Sequence, residues 1–462
     1  MKRLALGITL GMSLLAGCDG GEGGGNPQPP PPAPTTTVEV TEAITQNTTW
    51  TADKVYSLKK YIFVEGGTLT IEAGTKVLGN DGSALVVTRN ARLNAVGTKD
   101  KPIVFTSARE EGSREPGNWG GVVLLGRATI NSAGGQNNIE GFVTNSGDER
   151  TKYGGTDDAH DCGKLKYARI EFAGYQLAPN NELNGLTTGG CGSQTEIDFV
   201  QVHKGADDGV EMFGGTANLK HIVITQPDDD GLDYDLGYRG KVQFLVVQQN
   251  SKVGNRGIEA SGNSSDNAAT PRSMPEIWNA SFIGSGRPVA TSGTKQEGLV
   301  FNTGAGVKLR NSLVVNFADQ AVDVDGKASV AMFEAGSLSI ENTFFYSNRG
   351  DTASIPYAAN PVKDSAGTVT NEDSSRLSNN AIFKEPEQFL ASALRNQVVE
   401  PKLTASQDLK APNFAPQAGS LALDAANAAT PPAGGFFDAS ARFVGAVGTD
   451  NWLAGWTAYP EN

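Results

Sequence analysis

Cysteine and histidine are scarce, with three of each in 462 residues. The cysteines lack metal-ligand spacing, which argues against a zinc or redox centre. No GxSxG element occurs, so a serine nucleophile on a strand-to-helix elbow has no support. Aromatic residues are only 7% of the chain, and 38 Lys and Arg face 51 Asp and Glu, a net charge of -13. That balance argues against nucleic acid or other polyanions as direct partners. Helical periodicity is missing from most of the chain, which excludes helices alternating with strands around a parallel sheet. What the chain has in abundance is glycine, 57 residues, and short alternating strands.

The one long apolar run lies at the start. Met1 to Cys18 reads MKRLALGITLGMSLLAGC, with Lys2 and Arg3 before an apolar stretch too short for a permanent span. The spacing predicts an export signal over 1–17. Leu15-Ala16-Gly17-Cys18 resembles the bacterial lipobox, and that resemblance implies an acylated Cys18 and stable anchoring to a membrane. Asp19 to Thr37 turns from glycine-rich to proline-rich and reads as a spacer, so that 18–37 forms a tether. The expected location is the outer membrane or cell surface. Aspartate after the cysteine resembles an inner-membrane retention signal, which makes the periplasmic face of the inner membrane the alternative. With Cys18 assigned to lipid, Cys162 and Cys191 remain, and in an oxidising compartment they most simply form one disulfide.

Residues 38–462 carry a repeat. KLKYARIEFAG (164–174), TEIDFVQVHKG (195–205), ANLKHIVITQP (217–227), KVQFLVVQQ (241–249), EIWNASFIGSG (276–286), VKLRNSLVVNF (307–317) and LSIENTFFYSN (338–348) recur at solenoid spacing. Between them recur GVEMFGG (209–215), GLDYDLG (231–237), GIEASGN (257–263), GLVFNTG (298–304) and AVDVDGK (321–327). Two or more short strands per repeat, with Gly, Asp and Asn at the corners, predict an all-β, single-domain parallel β-helix, and right-handed crossover is the default. Insertions are expected near 263–275 and 349–400, a short amphipathic helix over 385–398, and a C-terminal cap in which Trp452 and Trp456 cover an open coil end.

VEGGTLTIEAGT, GNWGGVVLLG, IDFVQVHKGADDGVEMFGGTANLKHIVIT, DDDGLDYDLGYRGKVQF and FVGAVGTDNWLAGWT resemble bacterial β-helix lipoproteins of Gram-negative species. The resemblance covers nearly the whole mature chain. It implies a pectate-lyase-like right-handed β-helix outside the cytoplasm, and it implies no established activity.

In the second repeated element, alternation places Val210, Leu232, Ile258, Leu299 and Val322 inside. Glu211, Asp233, Glu259, Val300 and Asp323 then form one outer column, and Phe213, Asp235, Ser261, Asn302 and Asp325 the next. The preceding turns add Asp207-Asp208, Asp228-Asp229-Asp230, Asn255-Arg256 and Gln296-Glu297. Coils stack about 4.8 Å apart, so two stacked carboxylates repel by about 1 kcal/mol in bulk water and about 3.5 kcal/mol at an effective dielectric of 20. A hard cation, nearby Arg239, Lys241 or Arg256, or solvation must offset this. Oxygen-only ligands suit Ca²⁺, with Asp207, Asp208, Glu211, Asp230, Asp233, Asp235 and Glu259 as candidate ligands; capped turns are the competing role.

For catalysis the candidates are Asp207, Asp208 and Asp230 as paired carboxylates and Arg239 or Lys241, in GYRGK, as a lyase-type base. The glycine-histidine-glycine and arginine-isoleucine-lysine elements of polygalacturonases do not occur. His203 and His221 fall within strands, where packing is the commoner role. The function expected is a non-enzymatic or weakly enzymatic surface lipoprotein binding an extracellular glycan or a partner protein through a Ca²⁺-associated face. A polysaccharide lyase or hydrolase, and a structural envelope scaffold, are the alternatives.

Overall fold

Short strands and glycine corners do wind into coils. The computed structural model describes residues 36–142, 148–178, 181–286, 295–348, 362–363, 369–371 and 375–462. The signal segment, Cys18 and nearly all of the tether lie outside the described residues, as does much of the 349–400 insertion. Thr36 and Thr37, placed in the tether by sequence, already pair with Lys54 and Val55 as the first rung.

The strands are parallel and stack into three faces. On the first, Leu165, Ile197, Leu219, Val242, Ile277, Leu309 and Ile340 stand in one register and are all buried. This is the alignment of the first repeated element. On the second, Ala168, Val200, Ile222, Leu245 and Ala280 follow one another in the same strands, one bend further on. The third is a nine-stranded sheet running from Tyr61–Val64 to Val322–Val324. Its inward residues Val210, Leu232, Ile258, Leu299 and Val322 are fully buried in the common core. The register holds across the crossover after Ala260, with Ile258 opposite Leu299.

Each bend between the first and second faces needs one residue in the left-handed region: Tyr167, Phe199, His221, Phe244, Asn279, Asn311 and Asn342, with φ between 46° and 62°. Asparagine tolerates that conformation, whereas the aromatic residues and histidine need compensation. Stacking provides it. Ring centroids are 4.4 Å apart for Tyr167 and Phe199, 4.1 Å for Phe199 and His221, and 4.8 Å for His221 and Phe244. His221 is thus a stacking element, and His203 is buried with its ring nitrogens on Thr225 Oγ1 and Pro460 O.

Cys162 and Cys191 form the expected disulfide, and both are buried in the common core. The helix expected over 385–398 contracts to Glu385–Phe389. Asn396 ends it by donating to Phe389 O at 2.8 Å and Ile340 O at 2.7 Å, and Gln397–Val398 returns to the sheet beside Phe344 and Phe345. A second helix, Gly326–Glu334, follows the last third-face strand and buries Val330 and Met332. No helix among the described residues is long and apolar enough to cross a membrane.

The C-terminal segment departs from expectation. Trp452 and Trp456 do not close a coil end; they pack with Phe414, Val444 and Leu453 against Val223, Val246, Ile283, Leu313 and Phe344 on the outer side of the second face. The physical reason is that Val223, Val246, Ile283, Leu313 and Phe344 give this face an apolar outer patch that needs cover. Side-chain amides hold the segment down: Gln201 exchanges hydrogen bonds with Ala458, Gln243 with Asp438, and Asn311 with Ala429.

Candidate cation site on the third face

The third-face strands from Val122–Leu125 to Glu297–Phe301 are each entered through a glycine, Gly121, Gly185, Gly209, Gly231, Gly257 and Gly298, packed against a neighbouring coil. A Cβ on Gly209 would lie 2.2 Å from Ile224 Cγ2, and one on Gly231 2.4 Å from Val247 Cγ1. These contacts fix the turn, and so fix the residue before it. Asn184, Asp208 and Asp230 stack there, each capping the next coil: Asn184 Oδ1 accepts from Asp208 N at 3.2 Å, Asp208 Oδ1 from Asp230 N at 3.0 Å, and Asp230 Oδ1 from Arg256 N at 2.5 Å. The capping role anticipated for these aspartates therefore accounts for one oxygen of each.

The outer column is in the predicted register, Glu211 beside Asp233 beside Glu259, then Val300 and Asp323. Three overlapping carboxylate triads result: Asp207, Asp208 and Asp229; Asp208, Glu211 and Asp233; and Asp230, Asp233 and Glu259. Within each triad one oxygen per residue lies within 4.8 Å of the others. Burial holds the carboxyls of Asp208, Glu211, Asp230 and Asp233 well above the ordinary range, and the neighbouring carboxylates add to the effect. Asp207 is pushed up to about 8 by burial and then by Asp229, and Asp228 to about 6 by burial. Asp233 Oδ1 is buried with no hydrogen-bond partner.

The two ends of the column differ. At one end Arg256 reaches Asp230 Oδ2 at 3.3 Å, Glu297 Oε2 at 3.5 Å and also Glu259, while Lys295 meets Glu297 Oε1 at 3.2 Å. At the other, Asp207, Asp208, Glu211, Asp229 and Asp233 make no ion pair among the described residues. Glu140 joins this unpaired end and shares a hydrogen bond with Glu211.

Arg239 and Lys241, proposed from sequence as bases, are not brought to the column. The turn after Asp235 carries the chain off the third face, so Arg239 pairs with Asp158 at 2.6 Å and Lys241 opens a first-face strand with its ammonium 5.8 Å from the Phe437 ring. Asp235 stands in the next column beside Phe213, outside all three triads. Two contributors were not visible in the repeat. Glu140 comes from the excursion after Leu125, and Glu182 from the Asn181–Glu182 strand of a hairpin; Ile139, Phe142, Tyr153 and Leu183 of these segments cover the outer side of the first rungs through Val86, Val123 and Leu125.

Beyond the turns opens a groove of about 830 Å³, lined by Tyr175, Glu182, Asp207, Asp229, Arg256 and Lys295 among others. None of the tryptophans supplies a sugar platform there. Trp50, Trp119, Trp278 and Trp456 are buried, and Trp452 packs in the C-terminal segment.

A family model described as a pectate-lyase like beta helix domain matches residues 42–383. The chain belongs to that family. The matched span holds every third-face strand and all of the acidic column, so the pectate-lyase-like β-helix is the scaffold on which the column is built. No curated protein and no solved structure matches the chain significantly.

Proposed function

We propose that this pectate-lyase-like β-helix is a calcium-dependent carbohydrate-binding protein held outside the cytoplasm by acylated Cys18. The observation that carries the reading is the unpaired end of the column, where two carboxylate triads share Asp208 and make no ion pair among the described residues. Buried carboxylates in that state must either keep protons or take a cation, and an all-oxygen donor set of this kind suits Ca²⁺ better than a transition metal. Asp207, Asp208, Glu211, Asp229 and Asp233 are the ligands proposed. Asp230 and Glu259, already in ion pairs with Arg256, are left out. The adjoining groove, with carboxylates on its floor and Arg256 and Lys295 at its rim, suits a polar extracellular glycan.

The test uses the Cys18→Ser chain, which is expected in the soluble fraction. Calcium should raise its melting temperature and a chelator lower it; at one hundred times the dissociation constant the gain is about 2.7 kcal/mol. Glu211→Gln with Asp233→Asn should erase the response, whereas Asp230→Asn should leave most of it. A melting curve indifferent to calcium and chelator overturns the cation reading.

A second reading, a glycoside hydrolase, is favoured by one observation. Asp207, raised to about 8 beside Asp229 in an open groove, has the protonation expected of a general acid. Release of reducing ends that disappears with Asp207→Asn would favour it over binding alone.

A further inference from the structure

A second groove, of about 710 Å³, opens where the third-face strands end. Gln136, Asn137 and Asn138 of the excursion, Asp235 and Leu236 at the strand end, and Ser264 of the crossover after Ala260 contribute to it. None of the described lining residues is basic, so an anionic ligand meets no counter-charge among them. The carboxylates here also fail to converge as a triad among the described residues, which distinguishes this groove from the cation site.

The amides are oriented by their neighbours. Gln136 Oε1 accepts from Arg89 at 3.2 Å, Asn137 Oδ1 from Asn138 N at 2.9 Å, and Asn138 Oδ1 from Thr151 Oγ1 at 3.3 Å. With their oxygens engaged, Gln136 and Asn138 keep amide NH₂ groups that no other described residue accepts. Deeper in the groove Asp235 Oδ1 is buried with no hydrogen-bond partner among the described residues.

We propose that this groove binds an uncharged, polyhydroxylated saccharide, whose hydroxyl oxygens accept from Gln136 and Asn138, whose hydroxyl group pairs with Asp235, and whose apolar ring face rests on Leu236. A ligand of this class matches donors and acceptors without bringing charge to a groove that cannot balance it, and an unpaired buried oxygen is the kind of group that a bound hydroxyl satisfies. The inference rests on the carbohydrate half of the reading above and is independent of the calcium half. It adds a second glycan contact, at the opposite ends of the strands from the groove beside Asp207.

The experiment is calorimetric titration of the full mature Cys18→Ser chain, in chelator, with cellohexaose, mannohexaose and maltohexaose, and with hexagalacturonate as the anionic comparison. At least one uncharged hexasaccharide should bind, and Gln136→Ala with Asn138→Ala should weaken it by about tenfold or more while the melting temperature stays put, since both side chains are exposed. Asp235→Asn should keep binding, because its amide oxygen still accepts from a sugar hydroxyl, whereas Asp235→Leu should lose it. Absence of binding by every uncharged hexasaccharide, or binding indifferent to the Gln136 and Asn138 pair, overturns the proposal. Equal binding of hexagalacturonate that is lost in the same variant overturns it as well. The Glu211→Gln, Asp233→Asn chain separates the two readings, because it should lose the calcium response and retain the saccharide.

Discussion

At the scale of single residues, the carboxyls and one histidine set opposite pH dependences. Asp207 and Asp228 rise from the ordinary 3.8 to about 8 and about 6 on folding. A raised carboxyl makes folding most favourable below the unfolded value, and that contribution is lost as pH climbs through the folded one. In chelator, stability should therefore decline from about pH 4 to about pH 8. His203 behaves in the reverse sense, because burial lowers it from 6.5 to about 4. Its contribution is present above pH 6.5 and is lost as pH falls through about 4, on the order of 3 kcal/mol for so deeply buried a ring. Because two carboxyls oppose one histidine, chemical denaturation in chelator should show stability falling across this range, less steeply on the acid side than the carboxyls alone would give because the histidine offsets part of the loss, and calcium should flatten the alkaline limb by displacing protons from the column. Magnetic resonance of the imidazole tests the acid limb: a His203 that titrates near 6.5 contradicts the buried, neutral assignment. Glu211, Asp233 and Glu259 were legible in sequence because a strict period of two, restarted by Gly209, Gly231 and Gly257, leaves one choice of register. Glu140 and Glu182 were not, since they arrive from segments with no repeat to align. Arg239 and Arg256 looked equivalent by proximity to the acids, and only the turn after Asp235 separates them.

At the scale of elements, the bend ladder explains how one coil geometry tolerates different residues. Tyr167 through Phe244 offset a left-handed backbone by stacking, and Asn279 through Asn342 by their intrinsic tolerance of it. Asn311 adds a second role, since its amide donates to Ala429 O at 2.9 Å and accepts from Ala429 N at 2.8 Å. Asn311→Ala should then cost about 2–3 kcal/mol, combining backbone strain with two lost hydrogen bonds, while Asn311→Gly should cost less because glycine keeps the bend. Urea titrations of the two variants measure the difference. Equal stability of Asn311→Ala and the parent would show that neither strain nor docking matters at this corner. The first-face repeat was readable because its inward residues recur along each aligned segment. The bend was hidden inside those same segments, because a single left-handed residue leaves no trace in an alternating pattern.

At the scale of the whole molecule, a stack of coils is a one-dimensional object in which each coil feels chiefly its neighbours. Such a stack tends to unfold in pieces. The C-terminal segment changes this, because one continuous stretch meets the coil of Asn342 through Asn427, that of Asn311 through Ala429, that of Gln243 through Asp438 and that of Gln201 through Ala458. Sequence alone showed two tryptophans near the end of the chain but not where they pack, since the rings that receive them, Tyr167 and Phe199, lie on coils far back in the sequence. Trp456 is buried and its ring stands edge-on to Tyr167 and Phe199 with centroids 6.0 Å away. Trp456→Ala should therefore cost about 3–5 kcal/mol in that contact. Its more informative effect is on cooperativity: the strap would loosen first at the coils of Tyr167 and Phe199, while the coils of Asn311 and Asn342 stay bound. Calorimetry should resolve one transition in the parent and two in the variant, and hydrogen exchange should locate the earlier one on the second-face strands from Ala168 to Val202. A single transition in Trp456→Ala, merely moved to lower temperature, would mean that nearest-neighbour stacking already makes the coils melt together and that the segment adds stability without coupling them.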